Sequence, residues 1–512
     1  MAKVWKILAL LLVITALVWL TTMWRWQSAQ LDPSATDLTL HLGVLPLVLT
    51  AGLVMTLWAV KRLRSYAAAP PAAVTPPAAT AQPVAAANTA VNERSAHVKV
   101  LGSAVQVRAG NQWKAAQASI ASGECKPDLD AHLKDDDGIA VFTAPMPELS
   151  TDDLADALAE TVNTLTQTKP EAWVGYEAPA EVLRALTLLE TATGTMSEAV
   201  EAQWPALAAP PPSPRNKAAT LPPGVAIRVA IPARWSVQSQ QAAGAWLEQL
   251  FDPFIEAGLR AAGQSRAMAH SVRPAVQLHV HPVASAEAFW QLMDQQLLQW
   301  QRDKTPGLLW ALAADSLLSE NDTAAMAAAK ELFSGNNQRG RVPGEAAASV
   351  LLASPDWPEL PQAEPAQARL YRANLMRRDK SADASGRVGP QTLLQTTTDA
   401  IKASGCEPVQ MEHITTDADH RASRTSEVYE MLQELLPHLD TSEQALRLGV
   451  GCGDLGVARL LTCVALTASQ VQESQKPALV LGAFPAFERF AVVMTPPMAP
   501  PEATAAAPAP VA

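Results

Sequence analysis

The sequence predicts an α/β body of helix-covered sheets behind two N-terminal membrane-spanning helices. Short apolar runs alternate with helical periodicities through residues 226–494, and two long uncharged runs precede residue 64. Stretches rich in Ala and Pro separate and close these segments.

Residues 7–24 and 42–60 are uncharged runs of 18 and 19 residues. Each approaches the ~20 residues that cross a ~30 Å hydrocarbon layer. Trp5, Trp19, Trp24, Trp26 and Trp58 lie at or near their ends, where indole rings favour the interface. No small-residue cleavage site follows the first run, which argues against a removed signal peptide. Lys3 and Lys6 precede the first run, and Lys61, Arg62 and Arg64 follow the second. The positive-inside rule then predicts a multi-pass inner-membrane protein of a bacterium, with residues 25–40 outside and the body cytoplasmic.

Residues 65–95 read as a linker, because 67–90 are nearly all Ala and Pro and cannot pack a core. A Pro-rich loop is expected at 205–223 and a disordered tail at 497–512. Between them, 226–231, 308–313, 478–484 and 490–494 suit buried strands. Helical periodicity marks 242–262, 285–301, 392–404, 426–436 and 455–470.

The 512-residue chain is 48% hydrophobic and carries a net charge of −11. Residues 1–64 hold +4 of that balance, leaving −15 on the remainder. So acidic a body lacks the cationic surface that neutralises phosphates, and nucleic acid is not an expected partner. Cys125, Cys406, Cys452 and Cys463 have no disulfide-like or zinc-like spacing. His279 and His281 share one strand face, a spacing that zinc can use, but no third ligand is signalled. They read as solvated imidazoles on a strand edge. Asp417, Asp419 and His420 could form an acid/base site, but read more simply as a solvated loop entering a helix. Residues 134–138 (KDDDG) read as a turn. Gly449, Gly451 and Gly453 lack the lysine and spacing of a phosphate loop and read as close-packing glycines. No metal and no cofactor is expected.

The segment RVPGEAAASVLL at 341–352 resembles the GFVPGEGAAALLL segment of β-ketoacyl synthases, a branch of the thiolase-like proteins. LLWALAADSLL at 308–318 is similar to the strand and Asp-Ser turn that follow the family's nucleophile helix. Residues 393–417 resemble the helix, turn and strand before its first catalytic histidine, and Glu427 suits the acidic position beyond it. DLGVARLLTCVA at 454–465 resembles the GHxxGAAG helix, and 478–496 the two closing strands. The resemblance covers most of 300–496, and 98–300 only loosely. It implies a five-layered αβαβα body of two duplicated halves, divided as 96–340 and 341–496, and a homodimer. Asp315, Gly344, Glu345, Glu427 and Gly456 are its expected structural motif residues.

The chain departs from the family where the chemistry lies. A ketoacyl synthase uses a cysteine thiolate at a helix N-terminus and two histidines. The resemblance places Ser285 (or Ala284) at the nucleophile, Thr416 at the first histidine and Gly453 at the second. The expected function is therefore a non-catalytic thiolase-like binding or scaffolding protein. A weaker association points to an envelope machine such as a type VI secretion cluster. Two alternatives stand beside it. One is a divergent acyltransferase or condensing enzyme using Ser285 with His279, His281 or His420. The other is a structural membrane adaptor of unrelated α/β fold.

Overall fold

The computed structural model describes Thr15, Trp19 and residues 96–135, 137–208, 223–267, 273–386 and 389–497. The described residues from 96 onward belong to one compact unit, and the fold below lies within it.

The first half opens with β1 (His97–Val107) and an insertion of α1 (Trp113–Ala121), the hairpin β2 (Asp128–Lys134) and β3 (Ala140–Thr143), α2 (Asp152–Thr168) and α3 (Ala180–Glu201). It continues with β4 (Gly224–Pro232), α4 (Val237–Ala261), β5 (Val276–Val283), α5 (Ala286–Asp303), β6 (Gly307–Ser316), α6 (Glu320–Ala328) and β7 (Glu345–Ala353). The second half runs β8 (Ala368–Tyr371), β9 (Asn374–Arg377), α7 (Gln391–Ser404), β10 (His413–Thr416), α8 (Ala422–Leu435) and β11 (Ala445–Arg447). It closes with α9 (Leu448–Cys452), α10 (Arg459–Ser474), β12 (Ala478–Gly482) and β13 (Glu488–Thr495).

The strand order is the same in both halves. The first reads β5-β4-β6-β7-β1 and the second β11-β10-β12-β13-β8. Numbered within its own half, each is 3-2-4-5-1. In each, strand 5 runs antiparallel to both neighbours while the others pair parallel. Antiparallel pairing of β1 with β8 joins the halves. Because β7 pairs with β6 and β1, it belongs to the first half. The change-over therefore falls between 354 and 367, not at 340.

Side-chain alternation builds the layers. Val225, Ile227 and Val229 of β4 face α3 and α4, together with Leu308, Trp310 and Leu312 of β6. The other face of β6, Leu309, Ala311 and Ala313, joins α5 and α10. Ala478 and Val480 of β12 reach the same helices from the opposite side, while Leu479 and Leu481 face α7 and α8. The result is five layers, αβαβα. All residues of β6 and β7 are buried, as their largely apolar text requires of strands covered on both faces. Helix α10 packs on β1, β7, β10 and β12 and is buried on all sides.

The expectation of a multi-pass inner-membrane protein is corrected. Among the described residues no helix is long and apolar enough to cross a membrane. The longest, α3 with 22 residues and α4 with 25, lay one stripe on the sheet and expose charged residues, among them Glu190 and Glu201, Glu248 and Glu256. Apart from Thr15 and Trp19, the runs at 7–24 and 42–60 lie outside the described residues, as do the 67–90 linker, most of the 205–223 loop and residues 498–512.

Candidate functional site

The N-termini of α5 and α10 and the end of β10 converge between the two sheets. Ser285 caps α5, its Oγ accepting the N–H of Ala288 at 3.2 Å. Two residues on, Glu287 lies 5% exposed. Arg459 opens α10 at 4% exposure and donates to Glu287 Oε1 at 2.8 Å and to Asp417 Oδ2. Asp417 follows β10 and also accepts the N–H groups of Ala483 (2.6 Å) and Phe484 (3.0 Å). The Phe484 ring carries the guanidinium of Arg459 at 5.1 Å and that of Arg421 at 4.6 Å.

The electrostatics of this cluster follow from burial opposed by pairing. Burial disfavours the Arg459 charge, but Glu287 and Asp417 outweigh it and hold the guanidinium protonated. Burial pushes Glu287 up, and Arg459 overcomes it, so the carboxyl lies below its ordinary value. For Asp417 burial wins over Arg459 and the Ala483 N–H, and the carboxyl lies above its ordinary value.

A cavity of about 560 Å³ opens beside the cluster, lined in part by Ser285, Glu287, Asp315, Arg341, Asp454 and Arg459. Fully buried Asp315 ends the open text of β6 and takes both Nη atoms of Arg234, at 2.6 and 2.9 Å, plus the N–H of Val457 at 2.9 Å. Arg341 pairs with Asp454 (2.7 Å) and Glu331 (2.6 Å). Three arginines face six carboxylates across the lining, a net charge of −3. A larger groove of about 700 Å³ lies elsewhere, between β1, β8 and the C-terminal part of α5, and contains none of the anticipated positions.

Of the three positions that the resemblance assigned to the nucleophile and the two histidines, Ser285 alone lines the cavity. Thr416 ends β10, with its Oγ1 accepting the N–H of Ala418 at 3.2 Å. Gly453, at φ +67°, sits against the Val342 carbonyl, which a Cβ would meet at 2.5 Å. The residues that meet in space are Glu287, Asp417 and Arg459, and neither Glu287 nor Arg459 was singled out from sequence. An arginine amid VARLLTCVA, and a glutamate at the start of an aromatic-rich helix, were the available signals.

The reading of 417–420 as a solvated loop is corrected. Asp417 and Asp419 are each 1% exposed, and Asp419 is salt-bridged to Arg421 at 2.7 Å. His420 instead stacks edge-on against Phe333. Asp135 Oδ1 accepts the N–H groups of Asp137 and Ile139, so the 134–138 segment is the β2–β3 turn.

The motif residues hold the walls. Glu345 takes Arg184 in a two-pronged salt bridge, with Ser316 Oγ (2.9 Å) and the N–H of Met146 (2.7 Å) completing its shell. Gly344 lies on the 452–454 backbone, where a Cβ would come 2.1 Å from the Cys452 carbonyl. Gly456 has φ +52°, and its Cβ would stand 1.8 Å from Asp315 Oδ2. Gly456→Ala therefore combines left-handed strain with displacement of a buried carboxylate. It is expected to cost about 2 kcal/mol or more. A thermal melt checks this, and a melt matching the parent would contradict the close approach.

Among the described residues no cysteine lines the cavity. Cys463 is buried one helical turn beyond Arg459, and burial pushes its thiol well up. Contact with Cys125 and burial push Cys452 up likewise.

No protein-family model matches the sequence, and no curated protein matches it. Solved structures are similar at low identity. A ketosynthase/chain length factor of ishigamide shares 14% identity at a TM-score of 0.44, over 78% of this chain and 99% of that one. A beta-ketoacyl synthase from Burkholderia phymatum shares 12% at 0.47, over 79% and 100%. A type II polyketide synthase ketosynthase in complex with its acyl-carrier protein shares 12% at 0.46, over 78% and 100%. The chain's two halves share one strand order and stack in five layers, as the five-layered body of two duplicated halves expected from the sequence requires.

Proposed function

We propose that this chain is a non-catalytic binding or scaffolding protein with a thiolase-like body. The observation that carries this reading is the Glu287–Arg459–Asp417 salt bridge at the meeting point of α5, α10 and β10. A condensing enzyme needs there a nucleophile and groups that stabilise developing negative charge. Here the one central cation is spent on two carboxylates. The cavity's net charge of −3 further disfavours a carboxylate donor or a phosphorylated carrier arm.

The acyltransferase alternative rests on Ser285. Its Oγ is engaged with the N–H of Ala288 and with Glu287. Arg459 holds Glu287 as a weakly basic carboxylate, a poor general base for a hydroxyl. The matching fold makes a homodimer through this body part of the proposal.

The test is incubation with acyl-carrier-protein thioesters, followed by intact mass measurement. No acyl adduct is expected. A stable adduct that disappears in Ser285→Ala would promote the acyltransferase.

A further inference from the structure

A second polar cluster lies away from this cavity, on the open edge of the first half. Strand β5 is the terminal strand of the sheet. In register with it, Arg228 of β4 stands opposite His279, and Ala230 opposite His281. The two imidazoles stack with centroids 6.1 Å apart. Arg228 donates from Nη2 to Gln296 Oε1 of α5 at 3.0 Å. Among the described residues its buried Nε finds no hydrogen-bond partner, and neither does Nε2 of His281. The Arg228 Nε–H calls for a partner, because buried donors are ordinarily satisfied.

The chemistry selects the sign of that partner. Among the described residues no carboxylate pairs with Arg228, and burial alone depresses its pKa. Burial and the neighbouring Arg228 charge also lower both histidines. Neutral imidazoles could ligate a metal, but a guanidinium beside them repels a divalent cation and attracts an anion. The adjoining cavity of about 120 Å³ is lined by Arg228, Arg273, Gln277, His279, Gln296 and Asp303 among others. At roughly 30 Å³ per water this is room for about four waters, enough for one tetrahedral or planar oxyanion. Asp303 is the opposing charge, and it is exposed to solvent.

We propose that the pocket between β4, β5 and α5 binds a small oxyanion, a phosphate or carboxylate group, on Arg228 with His279 alongside. Guanidinium edges match both groups in geometry.

The experiment uses the full-length protein at low ionic strength, titrated calorimetrically with inorganic phosphate and, in parallel, with acetate. Saturable binding of phosphate, acetate or both is expected, and the arm that binds identifies the group. Arg228→Gln is expected to weaken it by about tenfold or more. Should that variant misfold, the Arg228 Nε resonance of the parent protein supplies the readout, and it is expected to shift on saturation. Failure of both anions to bind overturns the proposal. So does binding that leaves Arg228→Gln or the Nε resonance unaffected.

Discussion

Arg459→Leu is expected to destabilise the body by about 3–5 kcal/mol, the usual cost of removing one partner from a buried ion pair. The guanidinium is 4% exposed, and its carboxylate partners Glu287 and Asp417 are comparably buried. Leucine leaves both buried acids without a counter-charge. The pH dependence carries a definite sign. Burial already raises Asp417 above its ordinary value with Arg459 present, and without Arg459 burial acts on it less opposed. A carboxyl raised in the folded state binds more protons folded than unfolded, so stability falls as pH rises. The variant's deficit is therefore smallest below the ordinary carboxylate range and grows as pH climbs through the raised value. Urea unfolding at pH 7 and pH 5 measures both effects. A loss below about 1 kcal/mol at pH 7 would mean that the cluster is solvated. The triple variant Glu287→Gln, Arg459→Met, Asp417→Asn is expected to recover roughly half or more of the loss, since no buried charge is left unpaired.

The elements legible in the sequence were those whose text is one-dimensional. β6 and β12 sit in continuous apolar runs, and α4, α5 and α7 carry a clear helical period, so local pattern placed them. Strands β8, β10 and β11 have only three or four residues, too few for a period to show. Helix α10 was legible as a helix, but its burial was not. Its Thr462, Thr467 and Gln470 read as a solvent face, yet all are buried. Thr462 and Thr467 satisfy their hydroxyls on carbonyls one turn back, and Gln470 meets His413, so polar text does not imply water. The site was half legible. Ser285 was found because the resemblance placed the nucleophile position at the start of a helix whose period is local. The Glu287–Arg459 pair joins residues 172 apart in sequence, and only the fold reveals that each charge has the other. Asp417 was read as solvated because the partners that bury it, Arg459 and the backbone of Ala483 and Phe484, lie far along the chain.

Glu427→Gln is expected to produce a loss of similar size, about 3–5 kcal/mol, by the opposite imbalance. Glu427 on α8 accepts Arg489 through Nε at 2.8 Å and Nη2 at 2.7 Å, and also pairs with Arg378. Arg489 is fully buried and Arg378 nearly so, and burial disfavours the Arg378 charge. Glutamine keeps the shape and some hydrogen bonding but strands two cations. The damage is expected to reach the cavity through the backbone of 484–487. Arg489 donates to the Pro485 carbonyl at 2.8 Å, and Arg421 and Arg424 each donate to the Phe484 carbonyl at 3.0 Å. Phe484 and Pro485 line the cavity, and the N–H of Phe484 holds Asp417. With Arg489 unbalanced, that turn loses one of its anchors. Amide hydrogen exchange across 483–488 is expected to accelerate in Glu427→Gln, while exchange in β6 and β7, on the far sheet, keeps its parent protection relative to global unfolding. Parent-like stability with unchanged exchange at 483–488 would show that Glu427 does not brace the cavity wall.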